Sequence, residues 1–276
     1  MKRILTAVVA LPILLYTIWS ESPYFFVALT LVAVMLALGE FYGLASKVDC
    51  KPQTIAGYAA AFGVIATFVF EGPAWIAAVM IALSMTLLSV SVLHPSEIKQ
   101  SLLSVSATMF GVIYVALLAG CLVGVRMISD VASRSAVPHL ASKLLTMFFA
   151  FVMMTDTGAY YVGRAIGRHK LAPSVSPGKT IEGAIGGFAM AIVTGYLCKV
   201  IFFQEIPISH ALILGAAIGV IGQIGDLAES LLKRSAGVKD SGNVLPGHGG
   251  VLDRIDSILF CAPLLYYYSR LFASKL

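Results

Sequence analysis

Charge is what this sequence has least of: 19 Lys and Arg and 14 Asp and Glu stand among 276 residues, while 59% of the chain is hydrophobic. With a mean hydropathy of +0.91, so few charges cannot keep the apolar surface in one soluble core, which excludes an ordinary cytosolic domain. Cysteine is also scarce. Cys50, Cys121, Cys198 and Cys261 are scattered, with no CxxC or Cys/His spacing, which leaves no zinc or redox motif and assigns them to packing. An internal repeat is lacking as well, which weakens a transporter built from two related halves. The first segment, "MKRILTAVVALPILLYTIWS", has a basic start and an apolar middle, but "IWSESPYF" offers no small-x-small cleavage site, so it is expected to stay as a helix.

Long apolar runs are what the chain has instead. A membrane span needs roughly 20 apolar residues, and that rule picks out nine segments: 4–20, 24–45, 55–70, 74–93, 102–125, 144–164, 184–204, 209–231 and 251–272. The expected fold is all-α, a polytopic integral membrane protein of about nine helices with a bilayer as its partner. Residues 1–150 read as scaffold and 151–276 as the working region of one continuous membrane domain. With the N-terminus inside, thirteen Lys and Arg face the cytoplasm and five, Arg126, Arg134, Lys143, Arg270 and Lys275, the other side, as the positive-inside rule asks. This predicts a multi-pass protein of the inner (cytoplasmic) membrane.

Where the few charges sit is informative. Glu40 is the main exception in the first half. It has no motif around it, and a buried pair or snorkelling is the reading it receives, as does Lys199. In the second half Asp156, Glu182, Asp226, Glu229, Asp240, Asp253 and Asp256 fall between 156 and 256, several of them inside or at the ends of spans, and costly intramembrane charges usually mark a functional cavity. The topology puts three clusters at cytoplasmic span ends: "MMTDTGAYYVGRAIGRHK", the loop "SVSPGKTIEGAIGG", and the stretch from "GDLAESLLKR" to "HGGVLDRID". On a helix, residues three, four and seven apart share a face, so Asp226, Glu229 or Ser230, and Lys233 project together, as do Asp253 and Asp256. Carboxylates without sulfur or imidazole neighbours suit Mg²⁺, which takes one or two carboxylates plus water and substrate phosphates. Lys179, Lys233, Arg234, Lys239 and Arg254 suit the phosphates. The glycines 242, 247, 249 and 250 let backbone amides approach an anion.

The run from Ser230 through Lys233-Arg234, Lys239-Asp240, Gly242, Pro246, His248-Gly249-Gly250 and Asp253-Arg254-Ile-Asp256 resembles the signature of the phosphatidate cytidylyltransferase (CDP-diacylglycerol synthase) family. "DTGAYYVGR", "SPGKTIEG" and "GDLAES" extend the resemblance over roughly residues 150–260, with one departure: Gly178 stands where many members carry a second lysine. The resemblance implies a Mg²⁺-dependent membrane nucleotidyltransferase that joins CTP and phosphatidic acid, releasing pyrophosphate, with its active site facing the cytoplasm. It implies one or two divalent cations, with room for a second, different cation. On this reading Asp226, Asp253 and Asp256 hold metal and are catalytic. Lys179, Ser230, Lys233, Arg234, Lys239, Arg254 and His248 bind substrate phosphate, and Asp156, Ser176, Glu229 and Asp240 support them.

Blander readings stand beside these. Asp226 could pair with Lys233 or cap a helix, Lys233 and Arg234 could be membrane anchors, His248 could be a general base rather than a phosphate contact, and Asp156 could merely orient Tyr160 and Lys179. Two alternative functions are a CTP-dependent polyprenol kinase or a cytidylyltransferase for another lipid phosphate, and an ion-coupled transporter, which would carry its charges near mid-span. No feature points to nucleic acid. Glycine-rich spans such as "AIGGFAMAIVTG" allow the close helix contacts of a homodimer.

Overall fold

A computed structural model describes residues 2–70, 72, 74–93, 98–128, 137–244 and 249–272, with side chains from residue 9 onward. His248, Arg134 and Lys275 lie outside the described residues. Each of the nine predicted segments corresponds to a helix: α1 (Lys2–Trp19), α2 (Tyr24–Ser46), α3 (Thr54–Val69), α4 (Trp75–Leu93), α5 (Ile98–Arg126), α6 (Leu140–Ile166), α7 (Ile181–Ile201), α8 (Ile208–Ser235) and α9 (Leu252–Phe272). Among the described residues six of them, α2 and α4 to α8, are long and apolar enough to cross a membrane. The 16 residues of α3 give only about 24 Å of rise against a core of about 30 Å. Helix α9 carries Asp253, Arg254 and Asp256 near one end and Arg270 near the other, and is not among the six.

The chain packs as two compact units that do not follow sequence order: residues 1–127 with 232–255, and residues 128–231 with 256–276. This division by packing differs from the division by charge drawn at residue 150. In the first unit Leu38, Phe41, Val64, Ile65, Leu87, Val115 and Val123 are buried. Helix α5 widens into a π-helical stretch over Val112–Leu117.

The second unit is held by glycines. A Cβ added at Gly187 of α7 would sit 2.8 Å from the Thr155 carbonyl oxygen of α6, and one at Gly158 of α6 would sit 2.7 Å from Met190 Cβ. Helices α7 and α8 meet the same way, with Gly195 at 2.5 Å from the Ala211 oxygen and Gly215 at 2.7 Å from the Ala191 oxygen. In lipid, helices gain little from hydrophobic exclusion, and small residues let their backbones approach for dispersion contacts instead. Gly186, Gly187 and Gly195 from "AIGGFAMAIVTG" are thus engaged within one chain and do not carry the case for a homodimer. At the other end of the unit Lys143 Nζ lies 2.7 Å from Glu205 Oε1. That hydrogen bond holds the Glu205 carboxyl below its ordinary value.

One element departs from the expected loop. "KLA" (β1, Lys170–Ala172) and "SPGKT" (β2, Ser176–Thr180) pair antiparallel, with Lys170 opposite Thr180 and Ala172 opposite Ser176. Glu182 anchors the hairpin's entry by accepting from the Arg168 and His169 amides at 3.1 and 3.2 Å. Thr180 leaves β2 in an extended conformation and its hydroxyl accepts from the Gly183 amide at 3.1 Å, which caps α7. Replacing a Thr cap by Ala costs about 1 kcal/mol. Thr180→Ala is therefore expected to lower the midpoint of thermal unfolding in detergent by about 2–4 °C.

Candidate active site

Within the second unit, α6, β2, the start of α7 and α8 line a partly open cavity of about 490 Å³ whose polar lining is Asp156, Tyr160 and Arg164, then Ser176, Lys179 and Thr180, then Gln223 and Asp226. Each arrives by a simple device. Asp156, Tyr160 and Arg164 lie four residues apart on α6 and share one face, and Arg164 Nη1 donates to Tyr160 Oη at 3.0 Å. Pairing in the hairpin sets β2, and the Thr180 cap joins Lys179 to the start of α7. Asp226 lies one residue past Gly225, where α8 meets α9 so closely that a Cβ would stand 2.9 Å from the Asp256 carbonyl oxygen.

The charge in the cavity is arranged as a pair. Lys179 Nζ lies 2.6 Å from Asp226 Oδ2, and the two side chains keep 25% and 34% of their exposure. Asp226 keeps a third of its exposure toward the cavity, whereas Lys179 Nζ is buried beneath the pair and only its stem lines the cavity. Gln223 Nε2 donates to the Ala184 and Gly219 carbonyls at 3.1 and 2.6 Å, tying α8 to α7 beside them. The structure therefore brings together Asp156, Ser176, Lys179 and Asp226, which come from three separate motifs of the sequence. Gln223 and Arg164 are additions. Arg164 closes the "DTGAYYVGR" motif, so the signal for it was present.

Asp256 begins the second unit's part of α9, and its Oδ1 accepts from the Ser257 amide at 2.6 Å. Glu229 is fully buried, whereas Ser230 is half-buried.

The first unit holds the signature loop. Helix α8 ends in a turn in which Gly237, at φ +68°, takes the left-handed conformation that glycine favours. The Val238 amide donates back to the Lys233 carbonyl at 3.0 Å, and Arg234 Nη1 donates to the Val238 carbonyl at 3.1 Å. Lys233 Nζ donates to Asp253 Oδ1 at 2.6 Å, and Asp253 Oδ2 accepts from the Ser241 amide at 3.0 Å and the Gly250 amide at 2.7 Å. Asp253 keeps only 4% of its side-chain exposure. Lys239, Asp240 and Arg254 are exposed.

Glu40, which the sequence suggests is half of a buried pair or a snorkelling residue, is the loop's other anchor. Buried on α2, it accepts from the Val251 amide at 2.9 Å and the Leu252 amide at 2.8 Å, both at the start of α9. Ser241 Oγ lies 3.0 Å from Glu40 Oε2 and 3.0 Å from Asp253 Oδ2, and its one proton serves one of them at a time. A lone carboxylate in a 23-residue apolar helix was the available signal.

Among the described residues no three His, Cys, Asp or Glu side chains form a metal cluster by themselves. The donor chemistry of Asp226, a hard carboxylate lining a partly open cavity, nevertheless fits a divalent cation that draws its other ligands from water and substrate, and Asp256 offers the same donor type where α9 meets α8 at Gly225. Asp253 fits less directly, because Lys233 and the loop amides already occupy its oxygens.

Residues 1–272 match the sequence profile of the cytidylyltransferase family. The chain is 36% identical over 270 residues to a phosphatidate cytidylyltransferase of Staphylococcus haemolyticus (strain JCSC1435), covering 95% of this chain and 96% of that protein. It is 35% identical over 271 residues to the protein of that name from Staphylococcus aureus (strain COL), with the same coverage. Over 132 residues, 47% of this chain and 49% of the relative, it is 48% identical to the phosphatidate cytidylyltransferase of Bacillus subtilis (strain 168).

Proposed function

The chain belongs to the cytidylyltransferase family, and from that premise we propose that it transfers the cytidylyl group of CTP to phosphatidate, giving CDP-diacylglycerol and pyrophosphate, at the cytoplasmic side of the membrane. The observation that carries this reading is the Lys179–Asp226 pair in its cavity: a cation for phosphate and a carboxylate for metal, held at one point by a membrane-embedded unit. A phosphatidate phosphate oxygen attacks the α-phosphorus of CTP, a new P–O bond forms, and the bond to the bridging oxygen breaks so that pyrophosphate departs. Phosphatidate arrives as an anion, so no covalent enzyme intermediate is required.

This chain's residues act by position and charge. Lys179 and Arg164 bind phosphate oxygens in the cavity, and Lys179 can exchange Asp226 for a phosphate without losing an ionic partner. Lys239 and Arg254, both exposed, and Ser230 and His248 of the same signature contribute further phosphate contacts. Lys233 and Arg234 begin from internal partners, Asp253 and the Val238 carbonyl, and bind phosphate by exchanging them. Asp226 and Asp256 would hold Mg²⁺; Asp253, the remaining candidate ligand, would be free to take a cation only on releasing Lys233. Bound there, the cation supplies charge neutralisation on the phosphates.

The test is direct. Purified protein in mixed micelles with phosphatidate and CTP is expected to form CDP-diacylglycerol and pyrophosphate, scored by mass spectrometry of the lipid. EDTA abolishes the product and excess Mg²⁺ restores it. Phosphorylation of a polyprenol by CTP, with no CDP-diacylglycerol formed, would replace this reading with the kinase. For orientation, CTP added outside inside-out vesicles should be used, and CTP added outside right-side-out vesicles should not.

A further inference from the structure

We infer that Glu40 is a positioning residue for the reaction: from α2 it fixes the start of α9 and the loop that precedes it, and so sets the orientation of Asp253 and of the helix end that carries it. The inference rests on the proposed transfer, but the geometry behind it does not.

Three donors converge on one buried carboxylate, the Val251 and Leu252 amides and the Ser241 hydroxyl, from residues two hundred positions along the chain. The first amides of a helix have no intrahelical acceptor, and they are usually served by a side chain from the residue just before the helix. Here the acceptor comes from a different helix, and it brings a full negative charge to the positive end of the α9 dipole. Asp253 accepts the neighbouring Gly250 amide at 2.7 Å, so the two carboxylates divide the orphaned donors between them.

The backbone is fitted to this arrangement. A Cβ at Gly242 would stand 2.6 Å from Glu40 Oε1, and one at Gly250 would overlap both Ser241 Oγ and Glu40 Oε2. Both glycines are needed because the carboxylate is seated against the chain, a reason for glycine distinct from anion binding by the amides. A charge in an apolar helix is costly, and a packing role alone would be met by leucine. A carboxylate there is explained by the donors it satisfies.

Glu40→Gln keeps the shape but turns an amide NH₂ toward groups that are themselves donors. The expected result is a fall in kcat of about 10- to 100-fold, the usual cost of a misplaced supporting residue, with KM for CTP and phosphatidate near wild type. Hydrogen–deuterium exchange, read without substrate, should show residues 249–255 exchanging about tenfold faster, as expected for loss of a bond to a charged acceptor. Exchange elsewhere in α2 and α3 should be unchanged. Glu40→Asp, which retains the charge but withdraws it by a methylene, should recover part of kcat.

Wild-type kcat in Glu40→Gln, or unchanged exchange at 249–255, overturns the inference; exchange rising equally along α2 and α3 overturns it in favour of a packing role. If Glu40→Gln does not accumulate, Ser241→Ala decides, since it removes one donor of three: locally faster exchange with reduced kcat supports the assignment, and wild-type values refute it. Inactivity of the wild-type protein toward CTP and phosphatidate would count against the proposed reaction alone, because the exchange measurement would still read the role of Glu40 in the loop.

Discussion

Asp226→Asn is expected to lower kcat by about 10²–10³-fold, the loss typical of deleting one element of charge stabilisation in a transition state, while KM for CTP stays level or falls. The two parameters should part because of Lys179. Its Nζ sits 2.6 Å from Asp226 Oδ2, so in the resting protein its charge is already partly spent. An asparagine preserves the shape and removes the competitor, leaving Lys179 a better site for the CTP phosphates. What is lost is the carboxylate that would hold Mg²⁺, and the concentration of Mg²⁺ giving half-maximal rate should rise. Lys179→Met should do the reverse, raising KM for CTP. Steady-state kinetics over a matrix of CTP and Mg²⁺ concentrations reads both parameters. An Asp226→Asn enzyme with wild-type kcat at saturating Mg²⁺ would dismiss the assignment.

The second large effect should come from Gly183→Ala. The added Cβ would stand 2.7 Å from the Ala159 carbonyl oxygen, 2.9 Å from Thr180 Oγ1 and 3.2 Å from the Gly163 Cα. Two of these neighbours are backbone and the third is the cap of α7, so no flexible tip can yield. Either α6 and α7 separate or the cap is lost. Overpacking of this kind costs about 1–3 kcal/mol. Gly163, Thr180 and Gly183 also line the cavity that holds Lys179, so turnover should fall with stability. Gly43→Ala in α2 is the contrast, because nothing lies within 4 Å of its added Cβ, and a helical Gly→Ala change with no clash is neutral or stabilising by about 0.5–1 kcal/mol. Thermal unfolding of both variants in one detergent checks the pair; equal midpoints would refute the packing argument.

Much of the fold was legible because lipid imposes a simple rule. The apolar run 24–45 became Tyr24–Ser46 and 74–93 became Trp75–Leu93, since a helix is the economical way for a single segment to satisfy its backbone in a bilayer. Charged ends were harder: α8 continues to Ser235, beyond the residue 231 where hydropathy stops it, because Lys233 and Arg234 suit the last turn of a helix. The hairpin was not legible. "SPGKT" offers a proline and a glycine rather than alternating apolar residues, and its pairing with "KLA" is fixed by how Glu182 and Thr180 hold its ends.

The site divides likewise. Lys179 and Asp226 were readable from local motifs of charge. Glu40 was not, because every partner it has in the signature loop lies about two hundred residues away, and periodicity carries no information at that range.

The glycine seams between α6, α7 and α8 have a mechanical meaning. Where two helices touch through side chains, those side chains form a compliant layer that can re-rotamer as the helices slide. At Gly195 and Gly215 backbone faces backbone carbonyl, and there is no such layer. Helices α7 and α8 are therefore stiffly coupled at this seam, and neither slides along the other without displacing its partner's backbone.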